Sequence, residues 1–220
     1  MKILFIGNSY TFFNDMPEIL EKLAAENGKE LRCDSVTKGG RHLYQNLSEG
    51  DENSEKIKSL ANENVYDALF LQEQSFFPIV NPDKFLYGVQ SLKDIVSAKR
   101  TILYSTWGRK EGSSKLEELA LTSEGMTKKL TDAYILVAKE TNSEISVVGK
   151  AFLNISQTIP DIELYNKDLS HPSYVGSVVA AICHYKVLYG EMPKSIASLQ
   201  IDELPFEKII KTVEDTIDEN

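Results

Sequence analysis

The feature that most constrains the fold is an alternation of short apolar runs with longer stretches of helical periodicity. The short runs are rich in β-branched and aromatic residues, as strands are, while the stretches between them place apolar residues three or four positions apart, as helices do. Units of this kind, repeated along a chain, assemble into a parallel sheet. The predicted strands are residues 3–6, 31–36, 66–71, 101–104 and 145–148.

The helical stretches carry their own boundary signals. A first helix is expected to begin near Asp15, because Asp15 and Glu18 have capping-box spacing and Pro17 suits a first turn. Gly28 suits its end. Further helices are predicted over residues 116–141, 173–189 and 206–217, and the polar residues 48–64 are interpreted as a loop followed by a surface helix.

Length and charge narrow the class of protein. A chain of 220 residues can bury one sizeable core, so a single α/β domain over residues 1–220 is predicted. No apolar run approaches the ~20 residues that cross a bilayer, so no membrane span is expected. With 33 acidic against 24 basic residues the net charge is −9, which disfavours binding to nucleic-acid phosphates.

The cysteines and the first residues of the sequence indicate the cellular compartment. Cys33 and Cys183 lie far apart in apolar segments and are interpreted as reduced, buried residues. The first strand follows Met1-Lys2 directly, without the apolar run and cleavage site of a signal peptide. The protein is therefore expected to be cytoplasmic, or secreted if a leader has been removed.

Polar and glycine-rich segments follow the predicted strands. Because ligands bind at the carboxyl ends of parallel strands, these segments are expected to meet at one edge of the sheet. They are Gly7-Asn8-Ser9 after the first strand, Gly39-Gly40 after the second, Gln72-Glu73-Gln74-Ser75 after the third, Thr106-Trp107-Gly108 after the fourth, and Asp168-Leu169-Ser170-His171-Pro172-Ser173 before the last long helix.

These segments contain the groups that acyl transfer needs. A serine hydroxyl becomes a nucleophile when a base takes its proton, and a carboxylate orients that base. Ser9, His171 and Asp168 fit these roles, with Pro172 favouring an extended backbone at His171. The oxyanion of the intermediate needs hydrogen-bond donors. The candidates are the backbone N–H groups of Ser9 and Gly40 and the side-chain amide of Gln74.

Taken together, these motifs resemble a known superfamily. The stretch GNSYT is similar to the first block of the SGNH (GDSL-like) hydrolases, Gly39-Gly40 to their oxyanion glycine, and DLSHPS to their DxxH block. With LQEQS, TWG and HPSYVGSVVAA at the later strand ends and the last helix, the chain resembles a branch of bacterial SGNH-like proteins from Lys2 to about Tyr189.

The resemblance implies a flavodoxin-like, three-layer α/β/α fold with a five-stranded parallel sheet. It also implies ester hydrolysis by a Ser9–His171–Asp168 triad, often on acetyl or other acyl groups of carbohydrates, with Gly40 as an oxyanion donor. The chain departs from the family where Gly-x-Asn-Asp becomes Gln72-Glu73-Gln74-Ser75. Gln74 is then the oxyanion amide in register, and Gln72 is the alternative.

Other polar and aromatic residues have competing interpretations. Asn8, Gln72, Trp107 and His42 are candidates for the substrate pocket; Trp107 could stack on a sugar or simply pack the wall of the site. His184 is interpreted as a packing or surface residue, and Glu73 as a buried partner of Arg41 or Arg109. No metal or cofactor is expected, since no ligand spacing and no phosphate-binding glycine motif is present.

The sequence therefore predicts a serine esterase for a small-molecule or carbohydrate ester, with a small acyl group such as acetyl favoured. The alternative is a carbohydrate- or acyl-binding module of the same fold without turnover, suggested by the glutamine in the oxyanion block. Acyl transfer to a sugar acceptor is a third hypothesis.

Overall fold

The computed structural model describes residues 1–199, 201 and 205–218. Its centre is a five-stranded, all-parallel sheet in the order β2-β1-β3-β4-β5. This is the flavodoxin-like order, with the change of direction between β1 and β3, where such sheets form their ligand crevice. The expected fold class is confirmed. The strands are β1 (Lys2–Gly7), β2 (Arg32–Thr37), β3 (Ala68–Leu71), β4 (Thr101–Tyr104) and β5 (Glu144–Ser146).

Helices and short 3₁₀ turns connect the strands. The α-helices of the described residues are α1 (Ser9–Phe12), α2 (Met16–Glu26), α3 (Glu52–Glu63), α4 (Phe77–Val80), α5 (Pro82–Ile95), α6 (Ser114–Leu119), α7 (Ser123–Thr141), α8 (Val148–Thr158), α9 (Tyr174–Tyr189) and α10 (Phe206–Asp218). The 3₁₀ turns are Phe13–Asp15, Leu43–Leu47 and Ala197–Leu199.

Two apolar layers cover the sheet, one on each face. Alternate residues of β1 enter them: Ile3 and Phe5 pack with α2, α8, α9 and α10, whereas Leu4 packs with α3, α5 and α7. β3 divides in the same way, and all four of its residues are buried. Strands covered on both faces are continuously apolar, which is why these runs were recognisable in the sequence.

The predicted start of the first helix near Asp15 is confirmed, since α2 begins at Met16 with Pro17 in its first turn, but the predicted capping box is wrong. Asp15 has a left-handed backbone (φ 53°) and its side chain caps nothing, whereas a capping residue needs an extended backbone. The chain is already helical from Ser9, and Asn8 caps that turn by accepting a hydrogen bond from the Tyr10 N–H. The predicted end is confirmed: Gly28 follows the helix, where Lys29 N–H donates to the Ala24 carbonyl.

Some other boundaries were wrong. The fifth strand ends at Ser146, because Val148 opens α8, whose buried side chains recur at helical spacing. The region 116–141 is two helices, interrupted at Ala120 (φ 50°), and Thr122 caps the second of them. The third strand begins at Ala68, with Tyr66 forming only an isolated bridge. Helices α5 and α8 lie in stretches for which the sequence reading assigned no helix.

The two cysteines lie in different environments. Cys183 is fully buried in α9, whereas Cys33 is partly buried on β2. Both are free thiols, and burial raises the pKa of each. Within the described ranges, no helix combines the length and apolar character needed to cross a membrane.

Candidate active site

The loop after β1 holds Ser9 at the mouth of a crevice. Its shape depends on Gln72, whose Oε1 accepts hydrogen bonds from the Asn8 N–H (2.9 Å) and the Thr11 hydroxyl (2.9 Å). A Cβ at Gly7 would lie 2.6 Å from Thr11 Oγ1 and 2.7 Å from Gln72 Oε1. Only glycine therefore lets the Gln72 amide approach the strand end so closely.

The structure brings together Ser9, His171 and Asp168, which are separated by up to 162 positions in the sequence. His171 Nε2 lies 2.8 Å from Ser9 Oγ, and His171 Nδ1 lies 2.5 Å from Asp168 Oδ2. Both ring nitrogens are thus occupied, one by the hydroxyl and one by the carboxylate. This is the connectivity in which an imidazole can accept the serine proton while a carboxylate fixes its tautomer.

Two aromatic rings fix the imidazole of His171. Phe13 stacks on it, with ring centroids 4.2 Å apart and planes 13° apart, and Tyr10 meets it edge-on at 5.5 Å. The backbone on either side is also held, because the His171 carbonyl accepts from Asn166 N–H and Pro172 bridges to Tyr165. The ring therefore has little freedom to rotate away from Ser9.

Asp168 is held in its ionised form. Its Oδ1 accepts hydrogen bonds from the backbone N–H groups of Ser170 (3.0 Å) and His171 (2.9 Å), while Oδ2 faces the His171 ring. Burial raises the pKa of this carboxyl, but these hydrogen bonds outweigh it, and the pKa lies below the ordinary value of 3.8. The group is a carboxylate at neutral pH.

Donors for an oxyanion lie around the same crevice. Ser9 occupies the first helical position of α1, where a backbone N–H has no intrahelical acceptor. Gly40, with φ 67°, and Gln74 line the cavity beside it. In the part of the chain described, no residue accepts a hydrogen bond from Gln74 Nε2, while Gln74 Oε1 is buried without a partner. The Gln74 amide is therefore free to meet a ligand.

The cavity that contains these groups is small, about 210 Å³. Sequence reasoning found several of its lining residues but missed Tyr10, Ser75, Ser170 and Arg109. Tyr10 and Ser170 are joined by a hydrogen bond of 2.8 Å between their hydroxyls. Arg109 comes directly after Trp107-Gly108, so its place after a strand was the available signal. A larger cavity of about 420 Å³ near Glu163 contains none of the three reacting groups.

Trp107 does not line the cavity, so of its two interpretations the structure supports packing and not stacking on a sugar. Its ring is fully buried between Tyr10 (4.7 Å, 5°) and Phe152 (4.0 Å, 3°), and its Nε1 donates to the Ser170 carbonyl. Both faces of the indole are occupied. Trp107 instead supports the loop that carries His171.

Gln72 is likewise not available as an oxyanion donor. Its Nε2 donates to the Glu73 carbonyl at 2.5 Å, and its Oε1 has the two donors already described. The side chain is 1% exposed, which leaves it no contact with the cavity. Of the two glutamines left open by the sequence, Gln74 alone lines the cavity.

Glu73 pairs with neither Arg41 nor Arg109, contrary to the expectation. Its carboxyl accepts hydrogen bonds from the Leu43 and Gln74 N–H groups, and His42 Nδ1 lies 3.3 Å away. Burial raises its pKa. The side chain thus ties the end of β3 to the loop after β2, and His42 is part of that contact rather than of the cavity lining. Asn8 does line the cavity.

His184 is a packing residue. It is fully buried among the rings of Phe5, Phe70 and Tyr104, with its Nδ1 2.7 Å from Ser146 Oγ. Burial lowers its pKa to about 3, so the ring is neutral. Among the residues that the structure describes, no group of three or more histidines, cysteines and acidic residues is arranged to hold a metal ion.

Comparison with solved structures identifies the superfamily. A proposed SGNH hydrolase from Slackia heliotrinireducens is similar over 86% of this chain and 98% of its own, with 28% sequence identity and a TM-score of 0.74. The chain belongs to the SGNH-like superfamily. This SGNH-like chain is also similar to a DUF4886 family protein from Bacteroides uniformis, at 17% identity and a TM-score of 0.81. The similarity covers 99% of this chain and 94% of the Bacteroides protein.

Esterases share the fold of this SGNH-like chain. An acetyl xylan esterase from Geobacillus stearothermophilus aligns over 88% of the chain and 97% of its own length, at 17% identity and a TM-score of 0.59. The architecture is therefore one on which esterases are built. No protein-family model and no curated protein matches the sequence.

Proposed function

We propose that this SGNH-like chain is a serine ester hydrolase that acts through an acyl-enzyme. The observation that supports the proposal best is the chain of contacts from Asp168 through His171 to Ser9, at 2.5 Å and 2.8 Å, on the wall of a small cavity. Each of these three side chains acts on the one beside it. The hydroxyl attacks, the imidazole takes and returns the proton, and the carboxylate stabilises the imidazolium.

In the first half-reaction, Ser9 Oγ attacks the ester carbonyl carbon while its proton passes to His171 Nε2. The carbonyl π electrons move to the oxygen, which the N–H groups of Ser9 and Gly40 and the amide of Gln74 stabilise. Collapse of this intermediate breaks the bond to the alcohol oxygen, which takes the proton from His171. Water then repeats the sequence on the acyl-enzyme, releasing the acid and restoring Ser9.

The size of the cavity favours a short acyl group. A volume of about 210 Å³ lies below the roughly 300–1,000 Å³ of typical sites for drug-sized ligands, so the cavity suits an acetyl group better than a long acyl chain. Acetyl xylan esterases among the proteins of the same fold make a carbohydrate a reasonable alcohol part of the substrate. We propose small acyl esters, with acetylated carbohydrates as the natural class to examine first.

The proposal is tested with an ester panel of increasing acyl length on purified wild-type protein and three variants. We expect turnover of acetate esters, and Ser9→Ala or His171→Ala should lower kcat by at least about 10⁴-fold. Asp168→Asn should lower it by a similar factor, because the carboxamide no longer orients or stabilises the charged imidazole. Ser59→Ala, an exposed serine on α3, is the matched control and should keep full activity.

A fluorophosphonate probe provides a second readout, because it labels an activated serine whatever the natural acyl group is. Labelling at Ser9 that disappears in His171→Ala would support the proposal. A folded wild-type protein that neither labels nor turns over any ester would contradict it and favour the binding module. Product analysis with excess alcohol separates hydrolysis from acyl transfer.

A further inference from the structure

Arg109 is the feature of the cavity that ester hydrolysis as such does not use. Its guanidinium shares the cavity with Ser9 and His171, and its Nη2 donates to Ser75 Oγ at 3.1 Å. Its Nε is buried and has no hydrogen-bond partner in the described part of the chain. Burying part of a cation in this way costs free energy unless an anion or hydrogen-bond acceptors pair with it.

No carboxylate of this protein supplies that pairing within the described ranges. Other arginines do have acidic partners: Arg41 pairs with Asp51, and Arg100 pairs with Glu144 at 2.6 Å. The acidic group that lines the same cavity is Asp168, and three N–H donors already surround its oxygens. Arg109 therefore lines the cavity without an acidic partner among the described residues, and an anion bound there would find an unpaired guanidinium.

The charge of Arg109 reaches the groups around the reacting serine. Tyr10 lines the same cavity as Arg109; burial raises the pKa of its phenol, and the Arg109 charge acts in the opposite direction. The Tyr10 ring in turn meets the His171 imidazole edge-on. Arg109 is thus close to the triad, while the protein as a whole is acidic, at −9. Because the net charge of the protein repels anions, the attraction of an anionic substrate to this site would come from the nearby guanidinium of Arg109.

We infer that the site selects esters that carry a carboxylate close to the reacting carbonyl, bound by the guanidinium of Arg109 with the help of Ser75. The planar guanidinium offers paired N–H donors in the geometry that a carboxylate accepts, and such charge-assisted hydrogen bonds are among the stronger ones. This inference rests on the proposed ester hydrolysis and names the class of substrate for it. The carboxylate can belong to the acyl part or to the alcohol part, and both are tested.

The test compares two matched pairs of esters. For the acyl part, the 4-methylumbelliferyl monoester of succinic acid is compared with 4-methylumbelliferyl butyrate, which has the same leaving group and no charge. For the alcohol part, 4-acetoxybenzoate is compared with its neutral carboxamide analogue. The readout is the ratio of kcat/KM for the charged ester to that for the neutral ester, corrected for spontaneous hydrolysis.

We expect a ratio above that of the uncatalysed reactions in one of the two pairs, and a loss of roughly tenfold to a hundredfold in that ratio for Arg109→Gln. Arg109→Lys keeps the charge but not the planar donors, so its ratio should lie between that of the wild type and that of Arg109→Gln. Arg32→Gln, at the opposite end of β2 and exposed, removes the same charge and should leave the ratio unchanged. High salt should lower the wild-type ratio.

Two outcomes would overturn the inference. One is a wild-type ratio that does not exceed that of the uncatalysed reactions in either pair. The other is a ratio in Arg109→Gln equal to that of the wild type in both pairs; if kcat/KM has then fallen equally for charged and neutral esters, Arg109 is a structural support for Ser75. Turnover of the neutral acetate ester by the wild type tests the proposed function separately.

If no ester is hydrolysed, the proposed function fails and binding decides the inference. Monomethyl succinate and dimethyl succinate are then titrated into Ser9→Ala protein and followed by NMR. Binding of the monoester that is lost in the Ser9→Ala/Arg109→Gln double variant would support selection of a carboxylate. Binding that is absent, or that does not depend on Arg109, would contradict it.

Discussion

At the scale of single residues, the position of Ser9 depends on side chains that the cavity does not expose. Gln72 accepts two hydrogen bonds from the Ser9 loop, and Gly7 leaves room for its amide. In the sequence, Gln74 was the oxyanion candidate in register, and Gln72, two positions earlier, was the alternative. In the fold, the amide of Gln72 is fully used, whereas Gln74 faces the cavity.

Gly7→Ala tests this support. The added Cβ would overlap Thr11 Oγ1 and Gln72 Oε1, so we expect a loss of about 1–3 kcal/mol in the free energy of unfolding. Displacement of the loop should also lower ester turnover. Urea denaturation followed by circular dichroism measures the first effect, and the ester panel measures the second.

Gly39→Ala is the matched control for this prediction. A Cβ at Gly39 meets nothing within 4 Å, so the variant should unfold within about 0.5 kcal/mol of the wild type. Equal stability of the two variants would show that Gly7 is not packed as described.

At the scale of elements, α9 connects the triad to the core of the sheet. Ser173 Oγ accepts from Gly176 N–H and caps the helix two residues after His171, so the helix start fixes where the imidazole emerges. Further along, His184 buries its ring against the sheet, with Ser146 as its partner. The groups packed against it are aromatic rings and that hydroxyl.

This burial predicts a pH dependence of stability. The pKa of His184 is about 3 in the folded protein against 6.5 ordinarily, so the unfolded chain binds the proton more readily. The contribution of His184 to the free energy of unfolding is therefore fully present above about pH 6.5. It falls as the pH is lowered from there towards 3, by up to about 1.4 kcal/mol per pH unit.

His184→Gln isolates the contribution of this group, because glutamine does not titrate. We expect the wild type to be the more stable protein at pH 7.5 and its advantage over His184→Gln to shrink steadily from pH 6.5 to pH 4.5. The free energies of unfolding are obtained from urea titrations at each pH. An advantage that stays constant over this range would contradict the neutral, buried state of the ring.

At the scale of the whole molecule, the sheet is the plane on which the site is assembled. Ser9 follows β1, Gly40 follows β2, Gln74 follows β3 and Arg109 follows β4, so neighbouring strands bring four segments to one edge. The layers on the two faces keep those strands in register. The described part of α10 belongs to one of these layers, where it packs on α8 and α9.

Ile209→Ala tests whether α10 contributes to the core. Ile209 is 2% exposed, so we expect a loss of about 2–5 kcal/mol in the free energy of unfolding. Ile135→Ala on α7, where the residue is 46% exposed, makes the same change on the surface and should cost less than about 0.5 kcal/mol. Denaturant unfolding of the two variants makes the comparison, and equal costs would place α10 outside the core.

The sequence by itself determined the parallel sheet, the order of its polar strand ends and the residues from which a Ser–His–Asp arrangement could be built. It could do so because buried strands leave continuous apolar runs and because the carboxyl ends of parallel strands meet at one edge. Boundaries such as the start of α8 were misjudged where short apolar runs suit a strand and a helix equally well.

The tertiary structure alone decided which side chains face the cavity. Trp107 and Gln72 are equally plausible pocket residues in the sequence, yet one is enclosed by two rings and the other by hydrogen bonds. Arg109 became notable only when no carboxylate was found beside it in the described chain. Such contacts join residues distant in the sequence, and their distances depend on how the layers pack, which no local pattern records.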